Sequence, residues 1–140
     1  MPFDKEYLKK ALDNENNESI MELSIQDIKS QKNDILQKLN LSREILRENL
    51  KKLKEYRYVN NINDLNYGSF IRWINLTKYD NLILTNGGIV CDIKINNGIE
   101  ILCRNNYNRF FQIKFDENLI FQKLNNQEKI ILQVLKEIKK

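Results

Sequence analysis

The spacing of apolar residues changes near the middle of the chain. In residues 1–59 they recur three and four apart, whereas from Ser69 onward they recur two apart. The first spacing aligns side chains on one face of a helix and the second on one face of a strand, so a helical front and a β-rich back are expected.

In the front part, Phe3 to Leu12 place Tyr7, Leu8, Ala11 and Leu12 at helical spacing, and the polar run Asp13 to Glu18 ends that helix. From Ser24 a second stripe forms from Ile25, Ile28, Ile35, Leu36 and Leu39, with Ser24 and Asp27 spaced as a capping box. Asn40-Leu41-Ser42 interrupts it. Ser42 reads as the N-cap of a new helix whose stripe is Ile45, Leu46, Leu50, Leu53 and Tyr56, so residues 24–57 are expected to form two helices.

The back part predicts strands at Ser69 to Leu76, Leu82 to Thr85, Ile89 to Ile95, Ile99 to Arg104, Arg109 to Phe115 and Leu119 to Gln122. Thr85-Asn86-Gly87-Gly88 and Asn96-Asn97-Gly98 read as hairpin turns, each offering glycine for a positive φ. For the second turn, a three-residue loop pairs Ile95 with Ile99, Ile93 with Ile101, and Cys91 with Cys103, which keeps one face wholly apolar. Both thiols are then expected to face each other as small core residues. A last helix is expected after Asn125, capped with Glu128, with Ile130, Ile131, Val134, Leu135 and Ile138 as its stripe. Lys136, Lys139 and Lys140 complement the dipole at its far end.

These elements specify an α+β fold: an N-terminal helical segment, an antiparallel meander of five or six strands, open or closed into a small barrel, and a C-terminal helix packed on the sheet. The organisation is a helical segment over residues 1–59 and a β-meander with its helix over residues 68–140.

Charge narrows the function. Residues 1–67 carry equal numbers of acidic and basic side chains, so the net +4 belongs to the back half. The chain contains no His, which removes the usual general base near neutral pH and every Ser-His or Cys-His nucleophile. The acids Asp80, Asp92, Glu100, Asp116 and Glu117 lie at expected strand ends and turns without catalytic pairing, and two cysteines without His make no metal set. A non-enzymatic protein is expected, without cofactor or metal. The N-terminus has no apolar signal core, and no run reaches the ~18 residues of a membrane span, so a soluble cytoplasmic protein is expected.

Two constellations suit binding. Residues Gln37 to Leu53, leading into Tyr56 to Val59, resemble the second and third helices of a winged helix-turn-helix, whose exposed basic residues are Arg43, Arg47 and Lys51. Glu44 and Glu48 interrupt that face with the sign that phosphates repel. In the back half, Arg72 and Trp73 on one strand join Arg104, Tyr107 and Arg109, followed by Phe110 and Phe111. Aromatic rings interleaved with Arg are the chemistry of single-stranded nucleic-acid platforms, although Phe111, Ile113 and Phe115 alternate as core.

Gly68 to Ile74, Leu84 to Asp92 and Arg109 to Ile113 resemble segments of small uncharacterised proteins of giant DNA viruses, and the heavy use of Asn, Ile and Lys suits such genomes. The resemblance spans residues 68–138 and implies a virus factory or virion as the setting. Two functions are expected from all this. One is a nucleic-acid-binding accessory factor using Arg72, Trp73, Arg104, Tyr107 and Arg109; the other is an assembly module that oligomerises or docks a protein partner through residues 24–57.

Overall fold

A computed structural model describes residues 5–14, 17, 20 and 23–138. The starting residue Phe3 of the expected first helix, and Lys139 and Lys140 of the last, lie outside the described residues. Four α-helices are described, α1 (Lys5–Asp13), α2 (Ile25–Gln37), α3 (Arg43–Lys52) and α4 (Asn126–Ile138), with strands β1 (Tyr56–Val59), β2 (Phe70–Asn75), β3 (Gly88–Ile95), β4 (Ile99–Arg104), β5 (Phe110–Lys114) and β6 (Asn118–Lys123). The fold is α+β, as expected.

The helix boundaries follow from local chemistry. Ser24 and Asp27 exchange reciprocal backbone bonds of 3.0 Å at the start of α2. Asn40 takes a positive φ of 54°, which Asn tolerates better than most residues, and Ser42 then caps α3 by accepting from the Ile45 N–H. Residues 24–57 therefore hold two helices, but α3 ends at Lys52. Tyr56, expected to continue the helical stripe, instead opens β1.

All six strands pair antiparallel in the order β1-β6-β2-β3-β4-β5, and β1 and β5 are open edges. The sheet is not a closed barrel. Val59 on β1 and Ile101 on β4 nevertheless share one buried cluster with Ile71, Trp73, Val90, Cys103 and Ile120, although three strands separate them. The sheet must coil for those side chains to meet, and Leu65 helps cover its concave face. On the opposite face Tyr56, Ile74, Leu84, Leu119 and Phe121 receive Leu36 of α2 and Leu53 beyond α3. A third cluster joins Ala11 of α1, Ile28 of α2, and Ile131 and Leu132 of α4. The apolar stripe of α4 thus meets helices, and Ile138, expected within that stripe, is exposed.

A buried polar network ties the N-terminus of α4 to the sheet. Asn125 and Glu128 form the expected capping box, with bonds of 3.0 and 2.8 Å. The Glu128 carboxylate also faces Arg57 of β1 at 3.8 Å, and Arg57 meets Asp64 at 3.3 Å. Burial raises the Glu128 pKa, opposed by its bond to Asn125 and by the Arg57 charge.

Two expectations in the β half fail for one physical reason, namely β-bulges. The Asn96-Asn97-Gly98 hairpin has the expected pairs Ile95–Ile99 and Ile93–Ile101, but a bulge between Val90 and Asp92 sets Val90 against Cys103. Cys91 is the extra residue and is exposed, while Cys103 is fully buried. The thiols do not face each other across a pair. Residues 85–88 are not a hairpin either. Ile74 bridges Leu84, Ile71 pairs with Gly88 and Phe70 with Ile89, so the chain on both sides of Gly87 runs along β2. One extra residue is absorbed at Asn86–Gly87, where φ of Gly87 is +90° and a Cβ would collide with the Ile71 carbonyl oxygen.

Candidate functional site

Strand alternation decides where the candidate residues go. Trp73 lies on the concave face, 7% exposed, and meets Phe111 edge-on at a centroid distance of 6.3 Å. Its neighbour Arg72 points to the opposite face, where its Nε donates to the Thr85 carbonyl at 2.8 Å and its charge lowers the pKa of Tyr56. Burial of the Tyr56 phenol outweighs that charge, so its pKa is raised overall. The structure therefore separates Arg72 from Trp73.

Phe111 was expected in the core, yet it is 43% exposed, because β5 is an edge strand and has a neighbour on one side only. Phe110, on the other face, is 61% exposed and stands opposite Arg104 in the β4–β5 pairing. Between those strands the turn is built by Asn105, whose Oδ1 accepts from the N–H groups of Tyr107 and Arg109, both at 2.9 Å. Asn108 supplies the positive φ, 60°. This turn throws the Tyr107 ring into solvent, 85% exposed, with exposed Arg104 and Arg109 on either side.

Trp73, Phe111 and Tyr107 share a cleft of ≈ 490 Å³, within the range of ligand-binding clefts. Its other wall comes from the connection between β2 and β3, with Lys78, Asn81, Ile83, Thr85 and Asn86, and its ends from Asn75, Asn105 and Asn106. No Asp or Glu lines it among the described residues. The cleft thus combines two partly or wholly exposed rings, a buried indole, several amides and one ammonium group. Of the residues expected from sequence it gathers Trp73 and Tyr107, and it has Arg104 and Arg109 beside its turn.

Comparison with family models, curated proteins and solved structures finds no match.

Arg43, Arg47 and Lys51 are exposed on α3, along the flank of the stripe of Leu46 and Leu50, which pack toward the sheet. Glu44 and Glu48 stand among them, also exposed. A larger cleft of ≈ 640 Å³ lies between α2 and β1, but it holds Asp34 and Asp64 with Lys38 and Arg57, and Arg57 is already paired with Asp64. Among the described residues no group of three or more His, Cys, Asp or Glu is arranged to hold a metal, and no helix is long and apolar enough to cross a membrane.

Sequence reasoning missed the wall formed by residues 75–86. Its Asn-rich stretch carries the composition of a plain turn, and only the pairing of Leu84 and Thr85 with β2 brings it over Trp73. The exposure of Phe111 was missed as well, because residue alternation assigns a face but not the position of a strand in the sheet.

Proposed function

We propose that this chain is a non-enzymatic, nucleic-acid-binding accessory factor that holds a single strand along the cleft and the turn of residues 104–111. The observation that supports it is the cleft itself: Tyr107 and Phe111 offer accessible ring faces, Arg104 and Arg109 flank the turn, and among the described residues no Asp or Glu lines the cleft. Stacking on such rings contributes about 1–3 kcal/mol per base, while guanidinium groups meet phosphates. Trp73 supports Phe111 from below rather than stacking itself. Arg72 takes no part in this surface. The setting implied by the viral resemblance, a cytoplasmic virus factory or virion, belongs to the same proposal.

The test is anisotropy of a labelled single strand between about 50 and 200 mM salt. Binding is expected to weaken steeply with salt, and the Arg104→Ala/Arg109→Ala double variant is expected to lower the slope of log affinity against log salt by about 1.4, or ~0.7 per phosphate contact. A protein that binds no strand at low salt refutes the reading.

A second reading, an assembly module working through its helices, is favoured by α3. There Ile45 is 46% exposed amid the alternating charges of Arg43, Glu44, Arg47, Glu48 and Lys51, a pattern that complements a copy of itself. Solution mass by light scattering separates the two: a stable oligomer without strand binding establishes this reading in place of the first.

A further inference from the structure

We infer that the groove between α2 and α3 is a further binding site, separate from the aromatic cleft, and that it takes a small anion carrying a phosphate monoester or pyrophosphate group. The observation that carries this is a buried cation without an acid. Lys32 is 4% exposed, and its Nζ donates to the carbonyls of Leu53 at 2.6 Å and Lys54 at 3.3 Å. Its third hydrogen meets no acceptor among the described residues, and no carboxylate pairs with it. The other buried cation among those residues, Arg57, faces both Glu128 and Asp64. A buried charge is costly unless it is paired. The carbonyls that follow α3 offset part of that cost for Lys32, as the negative end of a helix dipole does, but they bring no full charge.

The surroundings add charge of the same sign. The groove measures ≈ 370 Å³, near the lower end of the range for ligand clefts. Gln26, Lys29, Ser30 and Asn33 recur three and four apart and line it from one face of α2, while Leu50 and Lys54 line it from the other side. No Asp or Glu lines it among the described residues. Nearby acids are engaged elsewhere: Asp27 closes the capping box of α2, Asp34 opens onto the cleft beside β1, and Glu55 meets Lys129 at 3.1 Å. Burial, then the charge of Lys29, lowers the Lys32 pKa to about 8, which leaves its ammonium largely charged at pH 7.

Three ammonium groups around one small space favour a multiply charged anion. A phosphate monoester brings about −1.5 to −2 charge at pH 7 and three acceptor oxygens, whereas a carboxylate brings a single charge. Each phosphate within a strand also brings only one. A phosphate dianion relieves the repulsion between Lys29 and Lys32 and accepts the hydrogen that Lys32 leaves unused. The Ser30 hydroxyl and the amides of Gln26 and Asn33 offer further donors around it.

The experiment titrates inorganic pyrophosphate, inorganic phosphate and acetate into the full chain by calorimetry, at pH 7 in chloride of constant ionic strength. Saturable binding of pyrophosphate and phosphate at one site per chain is expected, with acetate at least about tenfold weaker than pyrophosphate. Lys32→Met should weaken pyrophosphate at least about tenfold, as loss of a buried, charged hydrogen bond. Lys29→Gln, at an exposed position, should weaken it about threefold. Lys94→Gln removes the same charge from exposed β3 and should leave binding unchanged. If Lys32→Met is unfolded by circular dichroism, the contrast between the Lys29 and Lys94 variants decides. Absence of saturable phosphate binding overturns the inference, as does equal weakening by Lys94→Gln and Lys29→Gln. A labelled single strand that loses affinity in Lys29→Gln, in a chain that binds no pyrophosphate, would make the groove part of a strand interface instead.

Discussion

Single residues here are governed by where one extra backbone residue falls. Because Cys91 is the bulged position, its thiol is in water with its Sγ 3.6 Å from the Ile89 carbonyl, while burial pushes the Cys103 thiol up to about 12, with Cys91 nearby adding to the shift. A thiol reagent should therefore titrate one cysteine in the native protein and the second only after unfolding. Cys91→Ser should leave the urea midpoint nearly unchanged, whereas Cys103→Ser buries a hydroxyl in an apolar cluster and should cost about 1–3 kcal/mol. A reversed order would mean the bulge is misplaced. Lys32 offers a residue-scale test in pH. Its ammonium is buried at the C-terminal end of α3, donating to the carbonyls of Leu53 at 2.6 Å and Lys54 at 3.3 Å. Burial, then the charge of Lys29, lowers its pKa from 10.5 to about 8. Between those values the unfolded chain binds more protons than the native one, so stability should rise with pH across that window. Tyr56 and Tyr58, raised above 10.0 chiefly by burial, and Cys103, raised above 9.0 by burial, act in the opposite sense only above those values. Urea midpoints at about pH 7.5 and 8.5 should thus increase in the native sequence and stay level in Lys32→Met.

At the scale of elements, what was legible depended on whether the signal was local. The capping box of α2, the Ser42 cap of α3 and the Asn125–Glu128 box of α4 are each contained in four residues, and all three form. The Asn97-Gly98 hairpin is equally local, and its register is as expected. Asn86-Gly87-Gly88 has the same local chemistry as a hairpin, yet it forms a bulge, because the pairing partner that decides between the two is β2, more than ten residues upstream. The bulge keeps the chain on β2 past residue 84 and so holds the connection over Trp73. The distinction is measurable. At Gly87 a side chain faces both a positive φ and the Ile71 carbonyl, so Gly87→Ala should cost at least about 2 kcal/mol. At Gly68, φ is +80° but nothing lies within 4 Å of an added Cβ, so Gly68→Ala should cost only about 1 kcal/mol. Equal costs would favour a free turn at Gly87.

For the whole molecule, the informative feature is the strand order, and it was the least legible. Helical and strand periods separate cleanly near residue 60, which suggests two halves, but β1 from the end of the helical segment pairs with β6 from the end of the chain. No local spacing encodes that long-range pairing; Tyr56 reads equally well as the last residue of a helical stripe. β6 sits between β1 and β2, and its Phe121, fully buried, meets Tyr58 of β1 at a centroid distance of 5.7 Å and shares a cluster with Leu36 of α2 and Ile74 of β2. The same strand contributes Gln122, which bonds the Asp64 carbonyl and the Asn66 N–H, and so holds the loop that covers the concave face. Helices and sheet should therefore unfold together. Phe121→Ala removes contacts on both sides of this junction and should cost about 3–5 kcal/mol. More tellingly, it should shift the helical signal by circular dichroism and the fluorescence of Trp73 by the same amount of urea, in one coincident transition. If the helical signal were lost first and Trp73 reported a second transition at the native midpoint, the front and back of the chain would be independent units and β6 would not join them. Phe110→Ala, an exposed ring on the edge strand, provides the contrast: it should leave both midpoints within about 0.5 kcal/mol of the native value. An effect confined to strand binding would then place Phe110 with Arg104 on the proposed interface, and stability and recognition would be read from an interior and an edge strand of one sheet.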